Sequence, residues 1–366
     1  MKLCVIYNFA QHYRSNIFKL IDSTFDCEWY FGETMGDIKK MDYSILSHTV
    51  HEMPKRIIGP FIYQCGVPSL IKEKYTHYLL LPDTRSLSSW LFLLMSRLYR
   101  KKKVFIWTHG WYGKENLIER IIKKIMFRLP NGGIFCYGNY ARNLMIKEGF
   151  NAQKIHTIHN SLFYDRQLQV RDQLKETSVY KDHFFNVNKN LLFIGRLTAI
   201  KKLDQILKAM VICRDRGTRY NLTFIGDGEK TEELMLLAKS LGLERQVWFY
   251  GSCYDEKELS MLIYNADLCV APGNIGLTAM HSMVFGTPCI THDDFPYQMP
   301  EFEAIKNGVT GSFFKRDNVD NLAAQIDRWF KDNGQKREEI RRACMKEIDD
   351  EWNPYFQIEV LKKYLK

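Results

Sequence analysis

The sequence has no pair of cysteines at the C-x-x-C spacing, although it contains nine cysteines in all. A zinc ribbon needs such pairs, so this class of metal site is excluded. The cysteines stand singly, and several lie inside apolar runs such as Leu268-Cys269-Val270. This pattern is typical of buried, reduced thiols in a cytosolic protein.

Long hydrophobic runs are also missing. The longest uninterrupted run extends from Trp90 to Met95, whereas a helix that crosses a bilayer needs about 20 apolar residues. Residues 1–14 contain only a short apolar run, which favours a first strand over a signal peptide. We therefore expect a cytoplasmic protein without a membrane-spanning helix.

Acidic residues are too few to balance the basic ones. The 52 Lys and Arg residues exceed the 42 Asp and Glu residues by ten, and the pI is about 9.0. A basic surface indicates an anionic partner, which is a nucleic acid, a lipid head group or a phosphorylated small molecule. Because the sequence contains no recognition motif for RNA or DNA, we expect no nucleic-acid partner.

Short apolar runs alternate with helical patterns along the 366 residues, which are too many for one ordinary core. Strands are predicted at 2–9, 78–81, 103–108, 133–137, 154–159, 191–195, 222–226, 247–251, 267–271 and 288–291. Helices are predicted at 115–129, 202–213, 229–241, 255–265, 276–285, 335–348 and 352–364. Continuous apolar strands separated by helices are typical of a parallel sheet that is covered on both faces.

A polar segment, 161–189, separates two series of these units. The predicted fold class is therefore α/β, with two doubly wound, Rossmann-like domains that face each other across a cleft. We place an N-terminal domain at 1–165 and a C-terminal domain at 166–350. The helix in 352–366 is expected to pack back on the N-terminal domain.

Ligands of such a fold bind beside the carboxyl ends of the strands, and the C-terminal domain has basic residues there. Gly195-Arg196 ends one predicted strand, and Lys201 lies five residues after the arginine. An arginine can fork onto phosphate oxygens and a lysine adds a point charge, so this turn is a candidate diphosphate site. A solvated basic turn is the alternative interpretation.

Two further strand ends are rich in glycine. The Gly-Asp-Gly at 226–228 predicts a tight turn, with or without a ligand. Further along, Gly273 and Gly276 precede a helix whose free N–H groups and dipole favour an anion. His281 lies on that helix, where a polar surface role and a ligand contact are both open.

Together these motifs resemble the C-terminal, donor-binding domain of GT-B glycosyltransferases of family 4, the retaining group. The other matching elements are a strand that ends in Gly251, the run from Glu256 to Leu259, the segment from Ala266 to Pro272, the helix start Gly276-Leu277 and the motif Gly286-Thr287-Pro288. In the first half, Thr-His-Gly at 108–110 and Ile-His-Asn-Ser at 158–161 match the family's strand-end histidine and inter-domain turn. The resemblance covers almost the whole chain.

One position pair departs from the family pattern. The family has two glutamates eight positions apart, of which the first touches the donor sugar and the second holds the ribose. This chain has Gly273 and His281 at those positions. The resemblance therefore implies altered donor contacts or weakened catalysis, although a ring nitrogen of His281 can still bond a ribose hydroxyl.

The resemblance implies a hexosyltransferase that retains the α configuration and uses a nucleoside-diphosphate sugar, with UDP favoured over GDP by family frequency. The implied catalytic residues are His109, Arg196 and Lys201. The implied donor-binding residues are Gly195, Gly226, Asp227, Gly251, Ser252, Cys253, Gly273, Asn274, Gly276, Leu277, Thr278 and His281. Candidate contacts of the acceptor or of the donor sugar are Arg14 and Glu301.

No cofactor and no metal ion are expected. The two cations and the helix N-terminus at 276–278 supply the positive charge that a departing diphosphate needs. Asp293-Asp294 is interpreted as a polar loop rather than as a metal-binding acidic motif.

Segment 97–128 contains ten Lys and Arg residues against two glutamates and flanks apolar residues. Such a segment suits an anionic membrane surface, and a core-facing helix with a solvated basic back is the alternative. By resemblance, the acceptor is a glycan or a glycan on a polyprenyl diphosphate. The expected setting is the inner face of a bacterial plasma membrane, in the synthesis of capsule or O-antigen.

Two other functions stay open at this point. The first is a UDP-sugar 2-epimerase of GT-B type, although that family lacks the Gly-Arg and Lys turn. The second is a sugar-binding relative with weakened catalysis, which the two missing carboxylates would explain.

Overall fold

The structure of the protein, a computed structural model, describes residues 1–33 and 39–365. Its contacts divide the chain into two units. Unit 1 comprises Met1–Phe163 and the segment that starts at Asn353, and unit 2 comprises Tyr164–Trp352. The predicted junctions, after residues 165 and 350, lie beside these, and the last residue of the predicted C-terminal segment, Lys366, lies outside the described residues.

Unit 1 is built on a parallel sheet of seven strands with the order β3-β2-β1-β6-β7-β8-β9. Its strands are β1 (Leu3–Tyr7), β2 (Cys27–Gly32), β3 (Val50–Met53), β4 (Lys55–Ile58), β5 (Phe61–Gln64), β6 (His77–Leu80), β7 (Lys103–Thr108), β8 (Gly133–Cys136) and β9 (Ile155–Thr157). Strands β4 and β5 form a separate antiparallel hairpin. The helices between the strands are α1 (Ser15–Thr24), α2 (Leu87–Ser96), α3 (Leu117–Arg128) and α4 (Asn139–Lys147).

Unit 2 has a second parallel sheet, of six strands, with the order β12-β11-β10-β13-β14-β15. These strands are β10 (Lys189–Ile194), β11 (Tyr220–Ile225), β12 (Val247–Gly251), β13 (Leu268–Ala271), β14 (Cys289–His292) and β15 (Gly311–Phe314). The helices are α5 (Tyr164–Arg171), α6 (Val179–Phe184), α7 (Asp204–Asp215), α8 (Thr231–Ser240), α9 (Glu256–Asn265), α10 (Leu277–Val284), α11 (Val319–Asn333) and α12 (Arg337–Glu351). In both sheets the strand order reverses beside the first strand, which is where doubly wound sheets bind ligands.

The ten predicted strands coincide with β1 and with β6 to β14. Of the strands that the pattern missed, β3, β4 and β5 are partly or largely exposed, whereas β2 is almost completely buried. Strand β3 is only partly buried, because it lies at the edge of its sheet. The polar segment 161–189 contains the two short helices α5 and α6.

Helix α3 confirms the predicted helix at 115–129 but not the interpretation that it faces the core. The exposed fractions of Leu117, Ile118, Ile121 and Ile125 are 71%, 69%, 50% and 51%. Of the apolar stripe that Leu117, Ile118, Ile121, Ile122, Ile125, Met126 and Leu129 form along this helix, only Met126 is fully buried. Most of the stripe is therefore exposed on unit 1.

The helix that follows Asn353, α13 (Pro354–Tyr364), belongs to unit 1. The Asn353 side chain accepts hydrogen bonds from the backbone N–H groups of the first turn and thereby caps the helix. Ile358 and Leu361 are buried in one cluster with Phe18 of α1. Gln357 is buried and donates to the His159 carbonyl at 2.8 Å, so both apolar packing and hydrogen bonding hold α13 in place.

Leu361→Ala should lower the free energy of unfolding of unit 1 by about 2–5 kcal/mol, since Leu361 is fully buried and its removal leaves a cavity. Urea denaturation of the full chain measures this change. Lys362→Ala is the matched control, because its exposed ion pair with Glu359 contributes about 0–1 kcal/mol. Equal effects of the two variants would show that α13 does not pack as described.

Candidate functional site

The carboxyl ends of three neighbouring strands of unit 2 are joined by backbone hydrogen bonds. Gly195, after β10, donates its N–H to the Ile225 carbonyl at 2.9 Å, and Gly226 donates to the Gly251 carbonyl at 2.8 Å. A Cβ atom on Gly226 would overlap the Gly195 carbonyl oxygen. Both turn glycines have φ values, 137° and 139°, that side chains disfavour. Glycine is therefore required for the close approach of these two strand ends.

Arg196 and Lys201 follow this strand end but differ in their surroundings. Arg196 is exposed, and no hydrogen bond or ion pair joins its guanidinium to another described residue. The Lys201 Nζ donates to the Asn274 carbonyl at 2.7 Å and to its Oδ1 at 2.9 Å. Burial lowers the pKa of Lys201 to about 8, against the opposing effect of the nearby Glu301 carboxylate.

The loop before α10 is held against Lys201 by backbone contact. The Gly273 N–H donates to the Lys201 carbonyl at 2.9 Å. A Cβ atom on Gly273 would overlap the Ile200 carbonyl oxygen and lie 2.7 Å from the Lys201 Cα. Any larger residue at this position therefore collides with backbone. This is the physical reason why the chain cannot carry a glutamate at position 273 in this conformation.

The buried Gln298, which the sequence analysis missed, holds the other side of the same loop. Its Oε1 accepts from the Ile275 N–H at 2.9 Å, and its Nε2 donates to the Thr291 hydroxyl at 2.8 Å and to the His292 carbonyl at 3.1 Å. A buried amide in a polar loop has no sequence signal of its own. The loop is thus clamped between Lys201 on one side and Gln298 on the other.

Helix α10 starts at the end of this loop. Its N-cap Gly276 has a φ of 53°, and no side chain caps the helix. Thr278 is buried and donates its hydroxyl to the Ile194 carbonyl at 2.7 Å. The hydroxyl is therefore used to join α10 to β10, while the first backbone N–H groups of α10 are suited to an anion.

His281 is partly buried on α10, and its Nδ1 has no hydrogen-bond partner among the described residues. Burial lowers the pKa of His281 to about 4, so the ring is neutral at pH 7. A neutral imidazole can accept at one nitrogen and donate at the other.

The remaining predicted residues of unit 2 have unequal surroundings. Asp227 is exposed, and its Oδ1 accepts from the Gly228 N–H and the Thr231 hydroxyl, both at 2.7 Å, so the carboxylate stabilises its own turn. Ser252 is exposed and Cys253 partly exposed after β12. Glu301 is buried in a short 3₁₀ helix, Pro300–Ala304. Its charge partly opposes the lowering of the Lys201 pKa by burial.

In unit 1 the structure brings the predicted residues Arg14 and His109 together through Tyr137. The Arg14 Nη1 donates to the Tyr137 hydroxyl. The ring centres of His109 and Tyr137 are 4.7 Å apart. Burial, followed by the charges of Arg14 and Lys123, lowers the pKa of His109 to about 4. Tyr137 directly follows β8, and this strand-end position is the signal that could have identified it.

Potential metal ligands come together at one place in the described ranges, 1–33 and 39–365, where Asp22, Cys27 and His48 meet in unit 1. The Asp22 carboxylate accepts from the Trp29 indole at 2.8 Å and from the Ser47 N–H at 2.7 Å. These bonds occupy the oxygens that a metal would need, so the cluster is explained as a structural one.

The loop at 293–294, which the sequence analysis interpreted as a polar loop, is joined to a basic residue. Asp294 pairs with Arg316 at 2.9 Å.

Comparisons with known proteins show which proteins this chain resembles. Residues 177–347, which lie within unit 2, match the family of glycosyl transferases group 1. An uncharacterized glycosyltransferase of Methanocaldococcus jannaschii is 29% identical over 168 residues, which are 45% of this chain and 41% of that relative. The match thus spans less than half of the relative's length.

Solved structures match the whole chain. The Anabaena protein HepE in complex with UDP has 14% sequence identity and a TM-score of 0.73, with 99% of each chain covered. The lipopolysaccharide outer core galactosyltransferase WaaB has 16% identity and a TM-score of 0.71, with 100% of this chain and 99% of that chain covered. The fold of the protein is therefore the GT-B fold, and the match to glycosyl transferases group 1 lies in unit 2.

Gly273→Ala should lower the free energy of unfolding by about 1–3 kcal/mol, because the added Cβ collides with the backbone at 200–201. Gly217→Ala is the control for backbone strain, since Gly217 has a φ of 93° and no neighbour within 4 Å of an added Cβ. Gly217→Ala should lower the free energy of unfolding by about 1 kcal/mol, because a side chain is disfavoured at this positive φ. Denaturant unfolding that shows Gly273→Ala to be neutral would contradict the close contact.

Proposed function

We propose that the protein is a retaining, metal-independent glycosyltransferase that transfers a hexose from a nucleoside-diphosphate sugar. The observation that supports this most is the exposed Arg196 guanidinium, which stands beside Lys201 at the carboxyl edge of a sheet in a domain that matches glycosyl transferases group 1. UDP is the proposed nucleotide, and the UDP complex of HepE, a protein of the same fold, supports this choice.

The proposed reaction breaks the bond between the anomeric carbon and the diphosphate oxygen, and negative charge develops on the departing diphosphate. Arg196, Lys201 and the N–H groups at the start of α10 stabilise this charge without reorganising, because the loop between them is fixed in advance. The acceptor hydroxyl forms the new bond on the same face and passes its proton to an oxygen of the departing diphosphate. These cations take the place of a divalent metal ion.

One neutral histidine in each unit is proposed to contact a substrate. His281 would bond a ribose hydroxyl through a ring nitrogen, in place of the family's carboxylate. His109 would contact the transferred sugar as a neutral hydrogen-bonding group, which its lowered pKa favours.

The proposed acceptor is a glycan, free or on a polyprenyl diphosphate, in bacterial surface polysaccharide synthesis such as that of capsule or O-antigen. The similarity in fold to WaaB, a lipopolysaccharide galactosyltransferase, supports this setting. Such a lipid-linked acceptor lies at a membrane, so the enzyme must approach one.

A surface of unit 1 supports peripheral binding to the inner face of the plasma membrane. Its exposed apolar side chains are Ile57, Ile58 and Phe61 on the hairpin, Leu91, Leu94 and Leu98 at α2, and Leu117, Ile118, Ile121 and Ile125 on α3. The hairpin and α2 are joined by the bond from the Gln64 N–H to the Ser88 hydroxyl, and α2 and α3 by the bond from Arg97 to the Leu129 carbonyl. We name this set the apolar surface.

Exposed cations stand beside the apolar surface. Arg100, Lys101 and Lys103 follow α2 and are exposed. Apolar side chains among unpaired cations match the chemistry of an anionic bilayer. Among residues 1–33 and 39–365, every helix is too short or too polar to cross a bilayer, and the proposed binding lies at the surface.

Arg196→Ala should lower kcat for transfer from UDP-sugar by about 10²–10³-fold, because it removes a donor to the leaving group. Release of UDP and transfer of radiolabelled sugar are measured together, in the presence of EDTA, which the wild type should tolerate. Arg219→Ala, at an exposed arginine elsewhere in unit 2, is the control. Unchanged turnover in the Arg196 variant, or magnesium-dependent recovery from EDTA, would disprove the assignment.

Binding of UDP should weaken as the pH rises above about 8. Burial lowers the pKa of Lys201 to about 8 in the free protein, so the ammonium loses its proton above this pH, while phosphate, with a second pKa of about 6, stays fully charged. The Kd should rise by about tenfold per pH unit. Lys201→Arg stays charged above pH 8, so the Kd of UDP measured by calorimetry should no longer rise with pH in this variant. The same slope in both proteins would exclude Lys201 as the titrating group.

Ile118→Ser with Ile121→Ser should weaken co-sedimentation with anionic liposomes by at least about tenfold, because each isoleucine adds about 1.5–3 kcal/mol when it is fully buried. Binding of the wild type should also fall with salt, which screens the cations. Met235→Ser with Leu236→Ser removes exposed apolar residues of unit 2 instead and is the matched control. Equal binding by both double variants would rule out the apolar surface.

A further inference from the structure

A buried arginine in unit 1 has no acidic partner among the residues that the structure describes. The Arg14 side chain is 5% exposed, and no ion pair joins it to a described carboxylate. Its Nη1 donates to the Tyr137 hydroxyl, but its Nε and Nη2 are buried and bond to none of the residues in 1–33 and 39–365. Proteins pair or hydrogen-bond a buried charge because its removal from water is costly, so the unused N–H groups of Arg14 need an explanation.

Aromatic rings surround the guanidinium without satisfying it. Its central carbon lies 4.8 Å from the ring centre of Trp107, 5.3 Å from that of Tyr137 and 5.4 Å from that of Tyr7. The ring faces attract the cation and offset part of its desolvation. They do not replace hydrogen bonds to its N–H groups.

Further unpartnered polar atoms lie in the same cluster. The Trp107 indole N–H and the His109 Nδ1 are buried and have no partner among the described residues. Trp107 and His109 lie at the end of β7, Arg14 lies between β1 and α1, and Tyr137 follows β8. All four stand at the carboxyl edge of the unit 1 sheet, where doubly wound domains bind ligands. His109 is the partly exposed member.

We infer that Arg14, Trp107, His109 and Tyr137 form a subsite in unit 1 for an oxyanion, a phosphate or carboxylate group carried by a substrate. The indole and the guanidinium can only donate hydrogen bonds, so the complementary group must be rich in acceptors. The fixed positive charge selects an anion over a neutral sugar hydroxyl. The fork of Nε and Nη2 matches two oxygens of one group.

All four residues of this subsite belong to unit 1. The inference rests on the proposed function only where it assigns the oxyanion to a substrate. The neutral state of His109, which burial and the charge of Arg14 favour, leaves the guanidinium as the charged member of the four.

Inorganic phosphate is the probe that tests the subsite. The full chain with Arg196→Ala and Lys201→Ala, which silence unit 2, is titrated with phosphate while the indole N–H signal of Trp107 and the Nε–H signal of Arg14 are followed by NMR. The signals are assigned with Trp107→Phe and Arg14→Lys. We expect both to shift with one saturable curve. A shift that only follows ionic strength, or no shift, overturns the inference.

Arg14→Gln should weaken the phosphate titration at least tenfold, while Arg97→Gln, at an exposed arginine of unit 1, should leave it unchanged. Equal effects of these two variants overturn the inference. If Arg14→Gln does not fold, the phosphate titration of the protein that retains Arg14 still decides whether the subsite exists.

Kinetics then distinguish the two sources of the oxyanion. Arg14→Lys should raise the KM for the donor at least tenfold if the donor's diphosphate occupies the subsite, and the KM for an acidic acceptor if the acceptor does. Unchanged KM values for the donor and for the acceptor would show that neither substrate uses the subsite. If the protein transfers no sugar at all, the proposed function fails, and the phosphate titration still decides whether the subsite exists.

Discussion

The site of unit 2 depends on the contact between two backbone turns that no side chain separates. The Gly273 N–H donates to the Lys201 carbonyl, and the Lys201 ammonium donates back to the Asn274 carbonyl. This pair of bonds joins the turn after β10 to the turn after β13, so the lysine and the start of α10 are fixed together. Glycine at position 273 is a condition of this arrangement, because a Cβ atom there would occupy the space of the neighbouring carbonyl.

The same contact restricts position 273. Packing against the backbone of residues 200–201 demands glycine there. The Lys201 ammonium donates two hydrogen bonds to Asn274 and lies near the buried Glu301 carboxylate. Gln298 secures the loop from its other side. Preorganised donors of this kind stabilise charge without further cost when a ligand arrives.

Unit 1 uses positive charge in two different ways. The exposed cations after α2 stand beside apolar side chains, where water and salt screen them and where a charged surface is the suitable partner. Arg14 is buried among aromatic rings, where screening is weak and an unpaired charge is costly. The first arrangement favours adhesion to an extended surface, and the second favours a single group of defined geometry.

The sequence by itself determined the architecture and the chemistry of the strand ends. Continuous apolar runs such as 103–108 become buried parallel strands because both sheet faces are covered, and the glycines after β10 and β11 follow from turns that side chains cannot adopt. Gly195, Arg196 and Lys201 could be found because they follow strands in the local sequence. The pattern also contained signals that were missed, such as the spacing of Leu322, Ile326 and Trp329 on α11, all of which are buried.

Only the tertiary structure decided the properties that depend on residues far apart in the chain. The outward direction of the α3 stripe follows from how α3 is placed against its sheet, since the period of the sequence fixes one face of a helix but not what that face meets. The lowered pKa of Lys201, the clamp made by Gln298 and the bond from the buried Arg14 to Tyr137 arise from burial and from partners up to 123 residues away. Burial and hydrogen-bond partners of this kind are set by packing, which local sequence patterns do not contain.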